Sequence, residues 1–430
     1  MTKQEVTCDF KDPKNLKDIL DLLVKLGESV QAKKNVGQKL LQDVRKYCKD
    51  AEKFYQSGSG SEVLSTVFSN AYGIRSTILE NSESSGTYNN FDRDHNAQDC
   101  ALNVAEALKK CLPKAYAALY FLLFMGSKTD FSTLQGGHWS NNNVNGSGGS
   151  GKDLFNWLTK EKNLSRTLTP GLIKRGFDQG KLHNSNDGST VAPVIKQIIK
   201  HNTPGPLQNA LSYLLFSCPW DDALLGHAIC FLYEFCSRVS QGSERFLQDP
   251  YKEHSEAFKD VCSALKSDLQ PFIDGSSGLS AVSQGNQNLF KDLWDDGKFD
   301  KYCEWLKRNI YRIIGSLASM SGESSAWDLS ALQSASSAGP FKYGFVFKAS
   351  WQDGKINSKL SPFISKLIDS DSGSLQNFKK FLENPSTPSS AGATAAGAAG
   401  GIFGLGGAGA GAAYGLNLFG FKNLVTGFLK

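Results

Sequence analysis

His227 and Cys230 lie three residues apart in LLGHAICFLYEFC, so a helix there carries both on one face, with Asp221 and Asp222 at its start. An imidazole beside a thiol is the pairing that generates a thiolate nucleophile, which makes this the first place to look for chemistry. The stretch is apolar on nearly every side, however. On such a helix Cys and His serve as core residues, and acids at the start cap free backbone N–H groups. No activating base or companion ligand set can be identified, so neither catalysis nor metal binding is expected there. The chain as a whole is read as a protein without enzymatic activity or cofactor.

Three other patterns could carry chemistry, and each has a plainer reading. The glycines of GGIFGLGGAGAGAAYG, Gly400 to Gly415, suggest a phosphate loop. A dinucleotide fingerprint must follow a strand, open a helix and be trailed by an acid about 20 residues on, and none of these holds. Trp294, Tyr302, Trp305 and Tyr311 recur at helical spacing, which could line a ligand cage but more commonly marks core packing. The cysteines Cys8, Cys48, Cys100, Cys111, Cys218, Cys230, Cys236, Cys262 and Cys303 contain no CxxC pair. Dispersed in this way they are either buried thiols of a reduced protein or widely spaced disulfides of a secreted one, and all nine are disulfide candidates.

The elements that hold these residues are helical. Leu16, Ile19, Leu20, Leu23 and Leu26 form one face of a helix predicted to open at Asp12 and Pro13, a cap followed by a first-turn proline. A connection near Gly27 to Lys34 leads to a second helix carrying Val36, Leu40, Leu41, Val44, Tyr47, Cys48, Ala51 and Phe54. Leu64, Val67, Phe68, Ala71, Ile74 and Ile78 mark a third. A longer helix from Cys100 to Met125 ends in AYAALYFLLFM, too short to span about 30 Å of hydrocarbon, so it is predicted to be a core helix bent at Pro113. Further helices are expected near 154–158, in VAPVIKQIIKH, LQNALSYLLFSC and ALLGHAICFLYEFCSRV, and near 251–273, 287–296 and 299–318. SLQNFKKFLEN is expected to close the body. FKYGFVF, Phe341 to Phe347, alternates weakly but has no partner with which to make a sheet. The class is therefore all-α: a multi-helix bundle in two helical units, 1–139 and 153–384, joined by the flexible linker 140–152 and followed by a Gly/Ala-rich tail, 385–430.

Charge excludes one class of partner. The chain has 47 Lys and Arg against 42 Asp and Glu, and two of the basic residues, Lys422 and Lys430, fall in the tail. The body is close to neutral and shows no basic stripe interleaved with aromatics, so nucleic acid is not an expected partner.

The tail has an informative order. No charge occurs from Asn384 to Phe421; PSTPSS gives way to an Ala/Gly-rich stretch, then to IFGLGG, AAYGLNLFGF and LVTGFL. Small residues at a cleavage site, a spacer and a hydrophobic end are the layout of a glycosylphosphatidylinositol signal. The attachment window runs through Ser389, Ser390, Ala391, Ala399 and Gly400 to Gly401. Asn145 and Asn163 begin N-x-S tripeptides, glycosylation candidates if the chain is exported. The opening MTKQEVTCDFKDPKN is polar and lacks a secretory core, so export predicts a leader encoded ahead of Met1; an intracellular α-helical scaffold is the alternative.

Several segments together resemble the secreted-antigen family of Babesia-type piroplasm parasites, which shares sequence character with their variant erythrocyte surface antigens. They are DPKNLKDILDLLVKLGES, LPKAYAALYFLLFMGSKTDFSTLQGGHW, LFNWLT, WDDGKFDKYCEWLKRNIYRIIGSL, AGPFKYGFVF and AGAAYGLNLFGFKNLVTGFL. The resemblance implies a helical ectodomain exported by the parasite. It would be held on the outer face of the merozoite membrane by a lipid anchor, or secreted near the infected red cell. The implied partners are the host erythrocyte surface or a host protein, antibodies, and the membrane through the anchor. No active site comes with the family.

Overall fold

A computed structural model of the chain describes residues 10–56, 62–79, 98–126, 177, 188–199, 205–242, 247–275, 289–324, 342–344 and 356–385. The chain divides into a body, Met1–Ala391, and a second unit, Gly392–Lys430, and every described residue lies in the body. Among the described residues there are twelve α-helices and no strand, so the fold is all-α.

Helix α1 (Leu16–Glu28) starts later than its sequence suggests. The cap is Asn15, whose Oδ1 accepts from the Asp18 N–H at 2.9 Å, so Asp12 and Pro13 precede the helix. Ser29 alone separates α1 from α2 (Val30–Val44), in place of the predicted eight-residue connection. Its N–H donates to the Lys25 carbonyl, closing α1, while its Oγ accepts from the Ala32 N–H at 3.2 Å, opening α2. One serine satisfies an orphan group at both helix ends. Helix α2 stops at Val44, short of the predicted stripe, but the turns that follow still bury Cys48, Ala51, Phe54 and Tyr55. The Tyr55 ring lies on Gly37 of α2, where a Cβ would come within 2.6 Å of it.

Helix α3 (Val63–Ile78) packs against α1, and α4 (Gln98–Gly126) continues through Pro113 with Val104, Leu108, Leu112, Ala115, Tyr116 and Leu119 buried. Helix α5 (Gly188–Ile199) lies against α3 and α4. Helix α6 (Pro206–Leu214) opens on a first-position proline, as the proline's missing N–H favours. Helices α7 (Leu225–Ser240) and α8 (Ser255–Gly275) pack along one another. The short α9 (Leu289–Leu293) leads to α10 (Phe299–Ser324), and α11 (Ile356–Ile368) and α12 (Ser374–Glu383) complete the body. Helix α11 had no counterpart in the sequence reading, because Pro362 interrupts a short stripe of Leu360, Ile364 and Leu367. Of FKYGFVF only Lys342–Gly344 is described, as a tight turn. Gly344 has φ +73° and sits where a Cβ would meet the Ala223 carbonyl at 2.5 Å.

One hydrophobic core runs through the described residues from Leu16 to Leu382. The early helices meet the late ones directly. The Lys49 N–H donates to the Leu293 carbonyl at 3.1 Å, the Tyr302 hydroxyl donates to the Tyr47 carbonyl, and the Phe54 and Tyr213 rings lie 5.6 Å apart. Residues on either side of 140–152 therefore share this core; that segment and the helix expected at 154–158 lie outside the described residues.

Candidate functional site

Helix α7 holds His227 and Cys230 in the interior. The imidazole Nε2 lies 3.3 Å from the Gln208 carbonyl of α6, the Tyr116 ring of α4 meets its edge at 5.4 Å, and Nδ1 has no hydrogen-bond partner. Burial pushes this histidine down to about pKa 4, the Gln208 carbonyl partly opposing. Burial also pushes the Cys230 thiol well above its ordinary value. An activated pair requires the reverse, a thiolate stabilised by a neighbouring cation. This is a neutral histidine and a protonated thiol in close-packed surroundings.

The two acids at the start of α7 are structural. Asp221 accepts from the Ala223 N–H at 3.0 Å, and burial raises its pKa against that bond. Asp222 accepts from the Ser316 hydroxyl at 2.7 Å and lies 3.6 Å from the Lys342 ammonium. The Trp220 indole N–H donates to the same serine at 3.3 Å. These groups tie the start of α7 to α10 and to the 342–344 turn. Because Ser316 and Lys342 are far in sequence from Trp220 and Asp222, no local pattern advertises the link.

Three of the four aromatic residues of the stripe are packed into the core. Phe231 lies edge-on to Tyr302 and Trp305 at 5.4 and 5.8 Å, Trp294 lies 4.7 Å from Tyr302, and Phe235 stacks on Phe299 at 5.6 Å. Trp294, Tyr302 and Trp305 are buried. Tyr311 faces outward, its ring under the Lys379 ammonium at 4.0 Å and its hydroxyl donating to Glu383 at 2.7 Å.

Cys100 is disulfide-bonded, and its partner lies outside the described residues. Cys48, Cys111, Cys218, Cys230, Cys236, Cys262 and Cys303 are free, so the structure does not pair these seven disulfide candidates. Cys218 is half-buried and the other six are buried; burial raises Cys48 and Cys111 to about pKa 12. Among the described residues no three His, Cys, Asp or Glu side chains are grouped to hold a metal ion, and no helix is long and apolar enough to cross a membrane.

An open cleft of about 300 Å³ lies between the first turn of α1 and the middle of α4. Lys14, Lys110 and Lys114 set its charge against Asp12, and Leu16, Ile19, Ala107 and Cys111 form its apolar side. Cys8, Asn145, Asn163, the window Ser389, Ser390, Ala391, Ala399 and Gly400, and the glycine run 400–415 lie outside the described residues. No family model, curated protein or solved structure matches the chain.

Proposed function

We propose that the chain is a secreted or lipid-anchored surface antigen whose helical body meets host erythrocytes and the immune system, through attachment, immune exposure or both. The observation that carries this reading is the order of residues 385–430: small residues, an uncharged Ala/Gly-rich spacer and an apolar end, following directly on α12. Further support comes from the resemblance of six segments to piroplasm secreted antigens. The buried, electrostatically quiet surroundings of His227 and Cys230 suit a display scaffold better than a reactive centre. In cells that make the protein natively, phosphatidylinositol-specific phospholipase C should release it from the membrane, and truncation after Asn384 should send it into the medium. Recovery in the cytosol with no incorporation of labelled lipid anchor would defeat the reading.

An intracellular helical scaffold is the second reading; the seven free thiols among the described residues favour it, since a reducing compartment preserves such groups, while the Cys100 disulfide speaks for the first. Rapid alkylation of cells before lysis separates the two. Protein from an oxidising compartment is expected to have lost reactive thiols, while protein from the cytosol keeps them.

A further inference from the structure

The cleft between α1 and α4 holds charges that the packing of the body does not use. Neighbouring lysines are neutralised: Lys17 bonds Asp21 at 2.7 Å, and Lys109 bonds Asp43 at 2.8 Å and Glu106. Lys14, Lys110 and Lys114, which line the cleft, are exposed and make no ion pair among the described residues. Lys110 and Lys114 stand four apart on α4, a spacing that sets them side by side with about 5–6 Å between Cβ atoms. Lys14 adds a third ammonium from the segment that enters α1. Asp12 is the one acid of the lining, so three positive charges against one negative leave an excess of two. The rest of the lining includes buried apolar groups, Leu16 and Ile19 of α1 and Ala107 and Cys111 of α4, with Ala118 two turns beyond Cys111. Burial keeps the Cys111 thiol protonated, so it contributes surface and no nucleophile.

We propose that this cleft binds a single-chain anionic amphiphile, its carboxylate or phosphate head among the three lysines and a short alkyl body on the apolar side. Unpaired ammonium groups gain from an oxyanion, which accepts charge-assisted hydrogen bonds, and repel a cation. An inorganic ion would leave the apolar side uncovered, whereas an alkyl chain removes that surface from water. The volume of about 300 Å³ also selects the size of the occupant. It stands at the lower end of the roughly 300–1,000 Å³ typical of small-molecule pockets, while a protein partner would instead need a face of roughly 800 Å². The proposal is independent of the surface-antigen reading.

The test is isothermal titration of the purified full-length chain with octanoate and with octyl phosphate, each below its micellar concentration. Octyltrimethylammonium and inorganic phosphate serve as the comparison probes. One of the two anionic amphiphiles should bind saturably at one site, and the tighter of them identifies the head group. Inorganic phosphate and octyltrimethylammonium should bind at least about tenfold more weakly. Lys110→Gln combined with Lys114→Gln should weaken binding about tenfold or more. Asp12→Asn should tighten it about twofold, because a repelling charge is removed. Ala118→Phe should weaken binding by filling the cleft. Absence of saturable binding, equal binding of octyltrimethylammonium, or unchanged affinity in the double lysine variant would overturn the proposal. Because both lysines are exposed, that variant should keep the parent's urea midpoint, which holds the test valid even if Ala118→Phe fails to fold.

Discussion

The front of the body, α1 to α4, and its back, α7, α8, α10 and α12, are equally helical but are held together by different means. In the front, charges cross between helices. Arg75 of α3 bonds Asp21 of α1, which also accepts from Lys17 at 2.7 Å, and all but a few per cent of the Asp21 and Arg75 side chains is buried. Lys109 of α4 sits between Asp43 of α2 at 2.8 Å and Glu106. Burial works to raise the Asp43 pKa, yet hydrogen bonds from Lys109 and Lys46 outweigh it and hold the carboxyl below its ordinary value. In the back, rings replace charges: Phe235 touches Phe231, Phe258, Trp294, Phe299 and Phe378. An ion pair fixes which groups face each other but returns little net stability after desolvation, whereas packed rings contribute directly through buried area.

The largest effect should therefore lie in the back. Phe235→Ala removes a ring at the meeting point of five others and should cost about 3–5 kcal/mol, read as a lower urea midpoint at unchanged slope. Arg75→Met leaves Asp21 buried with Lys17 as its remaining charged partner and should cost about 2–4 kcal/mol. The double variant Asp21→Leu with Arg75→Met should return to within about 1 kcal/mol of the parent, because the uncompensated charge is gone. If the double variant stays as unstable as Arg75→Met, the front is not held as described. A Phe235→Ala cost under about 1 kcal/mol would remove the contrast altogether.

The next effect is on pH dependence and lies where the two regions meet, at His227. Its folded pKa is about 4 against an ordinary 6.5, so between these values the unfolded chain binds the proton and the folded chain does not. Stability is full above about pH 6.5 and falls as pH drops toward 4, by up to about 3 kcal/mol at the lower end. Below pH 4 both states are protonated and this loss levels off. His227→Gln keeps a donor for the Gln208 carbonyl and should flatten the acid limb between pH 6.5 and 4.5. Titration of Asp43 also acts in acid, so the informative quantity is the difference between parent and variant. If the two profiles run parallel, the histidine is not the group responsible.

The sequence reading succeeded where periodicity is local and strong. Ile19, Leu20, Leu23 and Leu26, or Val67, Phe68, Ala71 and Ile74, announce a buried helical face without help from elsewhere, and these positions are buried. It also assigned Asp221 and Asp222 to the start of a helix and Trp294, Tyr302, Trp305 and Tyr311 to packing; the first three are buried, but Tyr311 faces outward. What it missed depends on distant residues. The pairing of Asp21 with Arg75 and the Trp220–Ser316–Asp222 link each join segments tens of residues apart. Helix α11 escaped because Pro362 masks a stripe only two turns long.

The smallest effect tests the start of α1, which lies at Asn15 and not at the Asp12 cap expected from sequence. Asp12 followed by Pro13 has the form of a cap and first helical residue, but Asn15 three positions later is equally competent and lies beside Leu16, the first buried apolar residue. Starting at Asn15 leaves the Leu16, Ile19, Leu20 and Leu23 face intact and spares the helix a first turn with nothing to bury. Asn15→Ala should therefore cost about 1 kcal/mol, while Asp12→Ala should change the urea midpoint by no more than a few tenths of a kcal/mol. The reverse order would move the cap back to Asp12 and lengthen α1 by a turn. The predicted asymmetry would show that tertiary burial, more than local cap chemistry, chooses where the first helix begins.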